Sequence, residues 1–586
     1  MDYQPRPEDS ARLLFDVLGA PAQLAQLPAF SEVDADLQRQ VLEEAARFVG
    51  DAIAPLRAAG DSPGCRFEAG TVTMAPGFAK AYEAFWQAGW PALSCAPEDG
   101  GQGLPAVLDS VLYEWLCAAN HGWTMAPGLL RGAYECLKHH GSEELKARYL
   151  EKIATGQWLA TMCLTEAHAG SDLGLARTRA TPQPDGSYRI SGTKIFISGG
   201  EHDMTDNIVH LVLARLPDAP PGPKGLSLFL APKFLSRDDG SLGDRNAVHC
   251  DRIEEKMGLH GSPTCVMRFD EATGWIVGQP GRGLAAMFIM MNAARLHVAL
   301  QGIGLLDAAH QMASAYAAER RQMRVPGARD ASQAADLIEG HPAIRRILET
   351  QRAWIDGGRL LAYQTGLELD MGRHHPDAAR RDTASLWCSL ITPVLKAAWT
   401  DQAFHGGSDC LQVLGGHGYV REWGIEQVVR DARIAMIYEG TNEIQAIDLL
   451  VRKVTADGGA GLARLLARLS ADLDDTRALD RQVRAGMERL QALTADICTA
   501  AGQDAEQPYW IAGDYLRAVA LVLLGWAWSR IGTNAACAEP RWQSPREAFE
   551  RWVWPELALR LDIIAANSRP AAAIAPAATQ PAAATA

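Results

Sequence analysis

Between Leu284 and Gln322 the chain reads LAAMFIMMNAARLHVALQGIGLLDAAHQMASAYAAERRQ, thirty-nine residues at helical spacing without a proline. Such a run reads as one long helix, because nothing in it removes a backbone donor or turns the chain. Immediately upstream the texture differs. YRISGTKIFIS alternates apolar and polar residues behind the turn PDGS, Pro184 to Ser187, as a hairpin arm does. IVHLVLARL and GLSLFLAPKFL are further strand-like runs set apart by Pro and Gly. A β domain over 159–278 follows. Before it, DLQRQVLEEAARFVGDAIAPLR (Asp36 to Arg57) and PAVLDSVLYEWLCAAN repeat apolar residues every three or four positions, so 1–158 reads as an N-terminal helical domain. After it, a C-terminal helical bundle is expected over 279–455, with three or four helices beyond the long one. DGGAG, Asp457 to Gly461, marks a boundary before a further helical block, 456–567, and the Ala/Pro-rich 568–586 reads as a disordered tail. The expected fold class is α+β, mostly α: helical domain, β-barrel-like middle domain, helical bundle and an additional C-terminal helical extension.

With 586 residues, 48% of them hydrophobic, the chain can bury a large core. A formal charge of -14 repels nucleic acid on average, and basic clusters such as ERRQMR (Glu319 to Arg324) are short. Eleven scattered cysteines without a Cys-x-x-Cys pair argue against a disulfide framework and fit a reducing cytosol. MDYQPRPEDSARLLF lacks the layout of a signal peptide. AVALVLLGWAW, Ala518 to Trp528, is shorter than the about 20 residues a membrane span needs and reads as a buried helix. A cytoplasmic protein without a membrane span is expected. The histidine pairs beginning at His139 and His374 have no carboxylate or cysteine frame at ligand spacing, so no metal site is expected. There is no P-loop and no G-x-G-x-x-G after a strand.

The segment IAMIYEGTNEIQAIDLLVRK, Ile434 to Lys453, sets one carboxylate, Glu439, at the break between an apolar stretch and a helical pattern starting at Thr441. Locally, two readings stand. Glu439 can complement the dipole of the new helix, worth about 0.3–1 kcal/mol, or it can be an acid kept in an apolar setting for proton transfer. Three distant segments bear on the choice: MCLTEAHAGSD (Met162 to Asp172), GTKIFISGGEHD (Gly192 to Asp203) and LQVLGGHGYVRE (Leu411 to Glu422). In order and spacing, with the α–β–α plan, the four together resemble the acyl-CoA dehydrogenase flavoproteins over residues 36–453. FISGGEHD with EKMGLHGSPTC (Glu255 to Cys265), and the block after 455, look like a longer subgroup typified by 3-methylmercaptopropionyl-CoA dehydrogenase.

The resemblance implies oxidation of an acyl-CoA thioester to its trans-2-enoyl form, with Glu439 taking the α-proton and N5 of FAD the β-hydride. A free glutamate, pKa about 4.3, is too weak a base for a carbon acid. Burial, exclusion of water and hydrogen bonds to the thioester carbonyl close that gap. Gly440 leaves room for the substrate. Some relatives carry the base at a position matching Ala294, which cannot act. By the same matching, Met162, Leu164 and Thr165 hold the flavin edge, while Phe196 and Ser198 supply a packed ring and a hydroxyl facing N5. Arg320, Gln412 and Gly416 match groups that a second subunit extends over the flavin's diphosphate and adenine. Thr441 and Glu443 complete the cofactor set, Thr441 combining a helix cap with a phosphate contact. Ser171, Arg295 and Gly440 match substrate-binding positions.

Plainer readings stay beside these. Phe196 and Ser198 also fit ordinary strand alternation, Arg295 a surface ion pair, Cys163 a small buried hydrophobe and His168 a solvated loop residue. Ala167 departs from the family's usual Thr-Glu-Pro, and the stretch after Arg320 departs from its usual arginine-then-aromatic pattern. The implied partners are an acyl-CoA, either fatty or 3-methylthiopropanoyl-like, electron-transferring flavoprotein and at least one further copy of the chain. Fatty acid β-oxidation is the expected setting. Two other readings are an acyl-CoA oxidase using oxygen and a DNA-binding stress-response flavoprotein of the same fold. Against the latter, RALDRQVRAGMERLQ (Arg477 to Gln491) mixes both signs of charge.

Overall fold

The computed structural model describes residues 2–237, 239–327 and 332–568, with the side chains of residues 289 and 291–294 outside that description. Apart from Ser568, the Ala/Pro-rich tail also lies outside it, as does the side chain of Ala294.

Helical periodicity in the first part is realised in α1 (Ala35–Phe48), α2 (Phe78–Gln87), α3 (Ala106–Thr124) and α4 (Leu130–His140). Asp34 starts α1 by accepting the Leu37 N–H at 2.8 Å. One element departs from the all-helical expectation, a hairpin of β1 (Arg66–Glu68) and β2 (Thr71–Thr73). Strands of three residues are too short for alternation to be visible in sequence.

Nine further strands follow: β3 (Leu159–Cys163), β4 (Arg179–Pro182), β5 (Tyr188–Ser198), β6 (Ile208–Arg215), β7 (Leu226–Pro232), β8 (Phe234–Ser236), β9 (Leu242–Arg245), β10 (Val248–Ile253) and β11 (Thr264–Val277). β7 pairs with both β6 and β11, so β11, β5, β4, β6 and β7 close into a ring. β3 adds in parallel to β6, and β10 in antiparallel to β11. The alternating run YRISGTKIFIS is β5 from end to end. Its pairing with β11 (Thr264 opposite Ser198) shifts register twice, which re-aims the end of the strand.

The proline-free run is one helix, α5 (Gly283–Glu319). Around it lie α6 (Pro342–His374), α7 (Ala378–Val413) and α8 (Ile425–Ala432), and α9 (Asn442–Ile447) packs on α7. The extension adds α10 (Ala460–Ser470), α11 (Ala478–Ala501), α12 (Gln507–Thr533) and α13 (Glu556–Asn567). By length and composition α12 could cross a membrane, but 78% of its apolar window is buried inside the protein. It packs on α6, α7 and α9. Trp528 Nε1 donates to the Ala353 carbonyl at 3.0 Å and Arg517 lies 4.4 Å over the Trp354 ring. The N-terminal segment reaches the same block, where Arg530 donates to the Val17 carbonyl at 2.8 Å and Asn534 to that of Asp16 at 2.7 Å.

Leu521, Leu524 and Trp528 of α12 are fully buried. Each such side chain is worth about 1.5–3 kcal/mol, so the helix as a whole outweighs a net stability of about 5–15 kcal/mol. Deleting residues from 455 onward is therefore expected to yield aggregated protein or a dye-binding, protease-sensitive state. Soluble, cooperatively unfolding material would contradict this.

Candidate active site

Glu439 and Gly440 both have left-handed backbone, at φ +55° and +85°. For glutamate that conformation costs about 1–3 kcal/mol and persists only where the surroundings impose it. Here they do. Gln445 Nε2 donates to the Glu439 carbonyl at 3.1 Å and to that of Gly440 at 3.4 Å. Lys396 Nζ donates to the Gly440 carbonyl at 2.8 Å and to Asn442 Oδ1 at 2.9 Å. Thr441 caps α9 by accepting the Ile444 N–H at 3.3 Å. The φ of Gly440 favours glycine, and a Cβ there would stand 2.6 Å from Gln445 Nε2 and displace the amide that holds the loop. One residue upstream, Tyr438 donates to Gln301 Oε1 at 2.6 Å, and Gln301 donates to the Tyr113 hydroxyl at 2.9 Å.

Glu439 keeps some accessible surface yet is set deep among protein atoms. Burial raises its carboxyl from 4.5 to about 7, with Arg295 and Lys396 pulling the other way. Arg295 is only 8% exposed, which overturns the surface ion-pair reading. It lies 3.6 Å from Asp448, and its Nε is buried without a hydrogen-bond partner among the described residues. Lys396 is wholly buried on α7; burial brings its ammonium down to about 7, with Glu439 the strongest charge opposing that.

The expected flavin-edge residues come together on the β domain. Met162 lies in β3, and Leu164 and Thr165 follow it. The Ile195 N–H donates to the Thr165 carbonyl at 2.9 Å and Lys194 Nζ to that of Leu164 at 3.0 Å, which sews this loop to β5 beside Phe196 and Ser198. Glu166 completes the stitch, accepting from Lys194 Nζ at 2.9 Å, Thr178 Oγ1 at 2.7 Å and the Arg177 N–H at 2.7 Å. Burial alone would raise the Glu166 carboxyl; Lys194 and these donors outweigh it and bring it down to about 2. Phe196 has φ +60° and is 60% exposed, so plain strand alternation does not describe it. The Thr165 and Ser198 hydroxyls make no hydrogen bond among the described residues. Cys163 is fully buried, His168 lies on the exposed side of the loop, and Ser171 is exposed. A cavity of about 280 Å³ runs along this loop, between Glu166, His168, Arg177 and Thr193.

The turn at Met125 and Ala126 joins the two groups. A Cβ on Gly199, next to Ser198, would lie 2.9 Å from the Ala126 Cβ, while Met125 Sδ is 3.7 Å from the Tyr438 hydroxyl. Arg320, Gln412 and Gly416 are elsewhere. All three are exposed, and Tyr316, one turn before Arg320, donates to or accepts from His417 Nδ1 at 3.0 Å. Arg320 stands twenty-five residues beyond Arg295, about 37 Å along the helical rise. Within one chain these residues form a second patch, away from Glu439. Glu443 is exposed on the first turn of α9.

The sequence gives little sign of Lys396 and Gln445 as site residues. The one signal for Lys396 is a single charge inside the apolar run SLITPVLKAAWT, Ser389 to Thr400. Gln445 carries none.

Known proteins share this sequence pattern and fold. Three family models match in series: acyl-CoA dehydrogenase N-terminal domain over residues 35–157, middle domain over 161–272 and C-terminal domain over 281–454. The chain is 42% identical to 3-methylmercaptopropionyl-CoA dehydrogenase of Ruegeria pomeroyi over 524 residues, 88% of each chain. It is 35% identical to the broad-specificity linear acyl-CoA dehydrogenase FadE5 of Mycobacterium tuberculosis over 567 residues, 92% of this chain and 91% of the other. Among solved structures it shares the fold of the Bacillus anthracis acyl-CoA dehydrogenase complexed with FAD (TM-score 0.72, 20% identity, 93% and 90% of the two chains). The chain belongs to the acyl-CoA dehydrogenase family.

Proposed function

We propose that this oxidoreductase carries out FAD-dependent α,β-dehydrogenation of an acyl-CoA thioester, with Glu439 as the base that removes the α-proton. The observation that carries this reading is the state of Glu439: a carboxyl raised to about 7, at depth, on a loop held in a strained conformation by Lys396 and Gln445. A carboxylate of that basicity is matched to proton abstraction at neutral pH.

The β-domain surface suits the isoalloxazine of FAD. Phe196 offers an exposed ring, and the uncommitted hydroxyls of Thr165 and Ser198 lie beside the backbone of Met162 and Leu164. When bound there, FAD supplies the acceptor for the hydride lost from Cβ. The chain's own part is to seat the thioester, keep water from Glu439 and receive the α-proton on its carboxylate oxygen. Gly440 and Arg295 border that seat, and Ser171 serves the CoA portion.

By the family resemblance, Arg320, Gln412 and Gly416 serve the diphosphate and adenine of FAD held by a second copy, and their exposure, with Arg320 about 37 Å along the helix from Arg295, fits that role. By the same resemblance, Thr441 and Glu443 complete the cofactor set. The enzyme is thus at least a homodimer, with electron-transferring flavoprotein as the electron acceptor. Its eleven free thiols suit a reducing cytoplasm. The substrate class is linear acyl-CoA, including the 3-methylthiopropanoyl thioester named for the Ruegeria relative.

An anaerobic bleaching panel of acyl-CoAs tests the assignment. At least one thioester should reduce the flavin, and silence with all of them would refute it. Rapid stoichiometric peroxide in air would replace the dehydrogenase reading by an oxidase. The pH dependence has a definite sign. The base works only when ionised, so the rate of flavin reduction should rise with pH and reach half its maximum near the Glu439 value of about 7. A rate flat from about pH 6 to 8 would separate Glu439 from proton removal.

A further inference from the structure

We infer that Lys396 is the positioning residue of the Glu439 loop: its ammonium fixes the Gly440 carbonyl and acts on the Glu439 carboxylate as an unpaired positive charge. The inference rests on the reading of Glu439 as the base and adds a second residue to it.

Lys396 reaches the loop from behind, out of the middle of α7, with no accessible surface. Its two hydrogen bonds, 2.8 Å to the Gly440 carbonyl and 2.9 Å to Asn442 Oδ1, are both to neutral acceptors. Asn442 is itself tied to α7, donating to the Ala397 carbonyl at 3.1 Å and accepting from Thr400 Oγ1 at 3.2 Å. Gln445 holds the preceding carbonyl. Together these bonds hold both carbonyls of the left-handed pair, and with them the backbone that carries the carboxylate. A neutral donor could make the same two bonds. A buried ammonium is costly unless an opposite charge compensates it, and Lys396 has no ion pair among the described residues.

The charges around Glu439 identify the compensation. From α5 comes Arg295, which is shared with Asp448; Asp448 also holds Lys453 at 3.1 Å and Arg452 at 3.9 Å. From α9 comes Glu443, an exposed carboxylate that acts on Lys396. From the loop comes the Tyr438 hydroxyl, engaged by Gln301. Of the carboxylates that act on Lys396, Glu439 acts most strongly, and on Glu439 Lys396 is the second cation after Arg295. A lysine in direct contact would occupy the carboxylate's lone pairs and weaken the base. A charge held off by the Gly440 carbonyl stabilises the anion yet leaves those lone pairs for the α-proton. Burial brings both groups near 7, and each favours the charged form of the other.

The test uses flavin-loaded Lys396→Gln, Lys396→Met and Lys396→Arg enzymes. One readout is the pH midpoint of flavin bleaching by an acyl-CoA that bleaches the wild type. The second is independent of turnover: the pH titration of the infrared carbonyl band that Glu439→Gln removes. Lys396→Gln keeps a donor without the charge, and its midpoint should rise by about one pH unit or more in both readouts. Lys396→Met should show the same rise and a lower rate at every pH. Lys396→Arg, which keeps the charge, should restore the wild-type midpoint. An unchanged midpoint in Lys396→Gln would overturn the inference. If Glu439→Gln still bleached its flavin, the base assignment would fail instead, and the infrared titration would still decide the role of Lys396.

Discussion

Glu439→Gln is expected to slow flavin reduction by a bleaching thioester about 10²–10⁴-fold, the range for loss of a general base, while the protein still binds flavin. Glutamine matches glutamate in size, and the left-handed backbone at 439 is held through its carbonyl by Gln445, not through the carboxylate. The loop should therefore keep its shape. What disappears is an acceptor raised to about 7 by burial. A neutral amide carries no comparable basicity, so the α-proton has nowhere to go at this position. The variant also removes an unfavourable buried charge. Its stability should equal or exceed that of the wild type above about pH 7. The sign follows from linkage: a carboxyl whose folded value is raised binds its proton more tightly in the native state, so wild-type stability falls as pH rises from 4.5 to about 7. Stopped-flow bleaching and thermal unfolding on one preparation separate these effects. Near-normal bleaching by Glu439→Gln would remove Glu439 from the chemistry. Loss of both flavin and fold would make the residue structural.

How much of this is legible in the residues differs by element. The alternation of YRISGTKIFIS marks β5 to its ends, although toward the C-terminal end Lys194 is buried and Phe196 exposed, which the pattern does not show. Glu439 stands out because a carboxylate at a helix break in an apolar segment needs a reason. Gly440 is legible as a glycine, though not the Gln445 amide that would collide with a side chain there. Lys396 is hidden because its partner carbonyl is forty-four residues away and exists only once the Glu439 loop has turned. Arg295 looks like a surface residue because the long helix has no polar face to say which side it is on, and only the packing of α7 and the approach of Asp448, just after α9, put it inside. The N-terminal segment gives no sign that it meets the extension, since Val17 and Arg530 lie 513 residues apart. Contacts of that kind are settled by which apolar faces find each other, and pattern within a window cannot report them.

Arg359→Met is expected to destabilise the helical body by about 3–5 kcal/mol, the usual cost of removing one partner from a buried ion pair. Arg359 is 1% exposed. Its Nε donates to Glu114 at 2.7 Å and its Nη2 to Asp307 at 2.7 Å, joining α6 to α3 and α5. Tyr363 donates to Glu114 at 2.8 Å and Tyr3 to Asp307 at 3.0 Å, so the N-terminal segment hangs on the same carboxylates. Around this centre, Arg352 pairs with Asp9 at 2.7 Å and Arg541 with Asp356 at 2.7 Å, which carries the network into the extension. Burial alone would raise the Asp307 carboxyl, but Arg359 and Arg352 outweigh it and hold it well below the usual range. Glu114 stays above its ordinary value because burial outweighs Arg359 there. Methionine fills the volume and leaves both acids without their main cation. Each must then lose its charge or remain unpaired in the core. The deficit should be largest at neutral pH and narrow as the pH falls toward about 4–5, where the orphaned acids take up protons. Guanidinium midpoints at two pH values measure this. Adding Glu114→Gln and Asp307→Asn to Arg359→Met should recover a good part of the loss, because the penalty lies in the unpaired charges and not in the missing salt bridge. Should the single variant unfold at the wild-type midpoint, or the triple variant prove weaker than the single, the network would be holding the fold together in some other way.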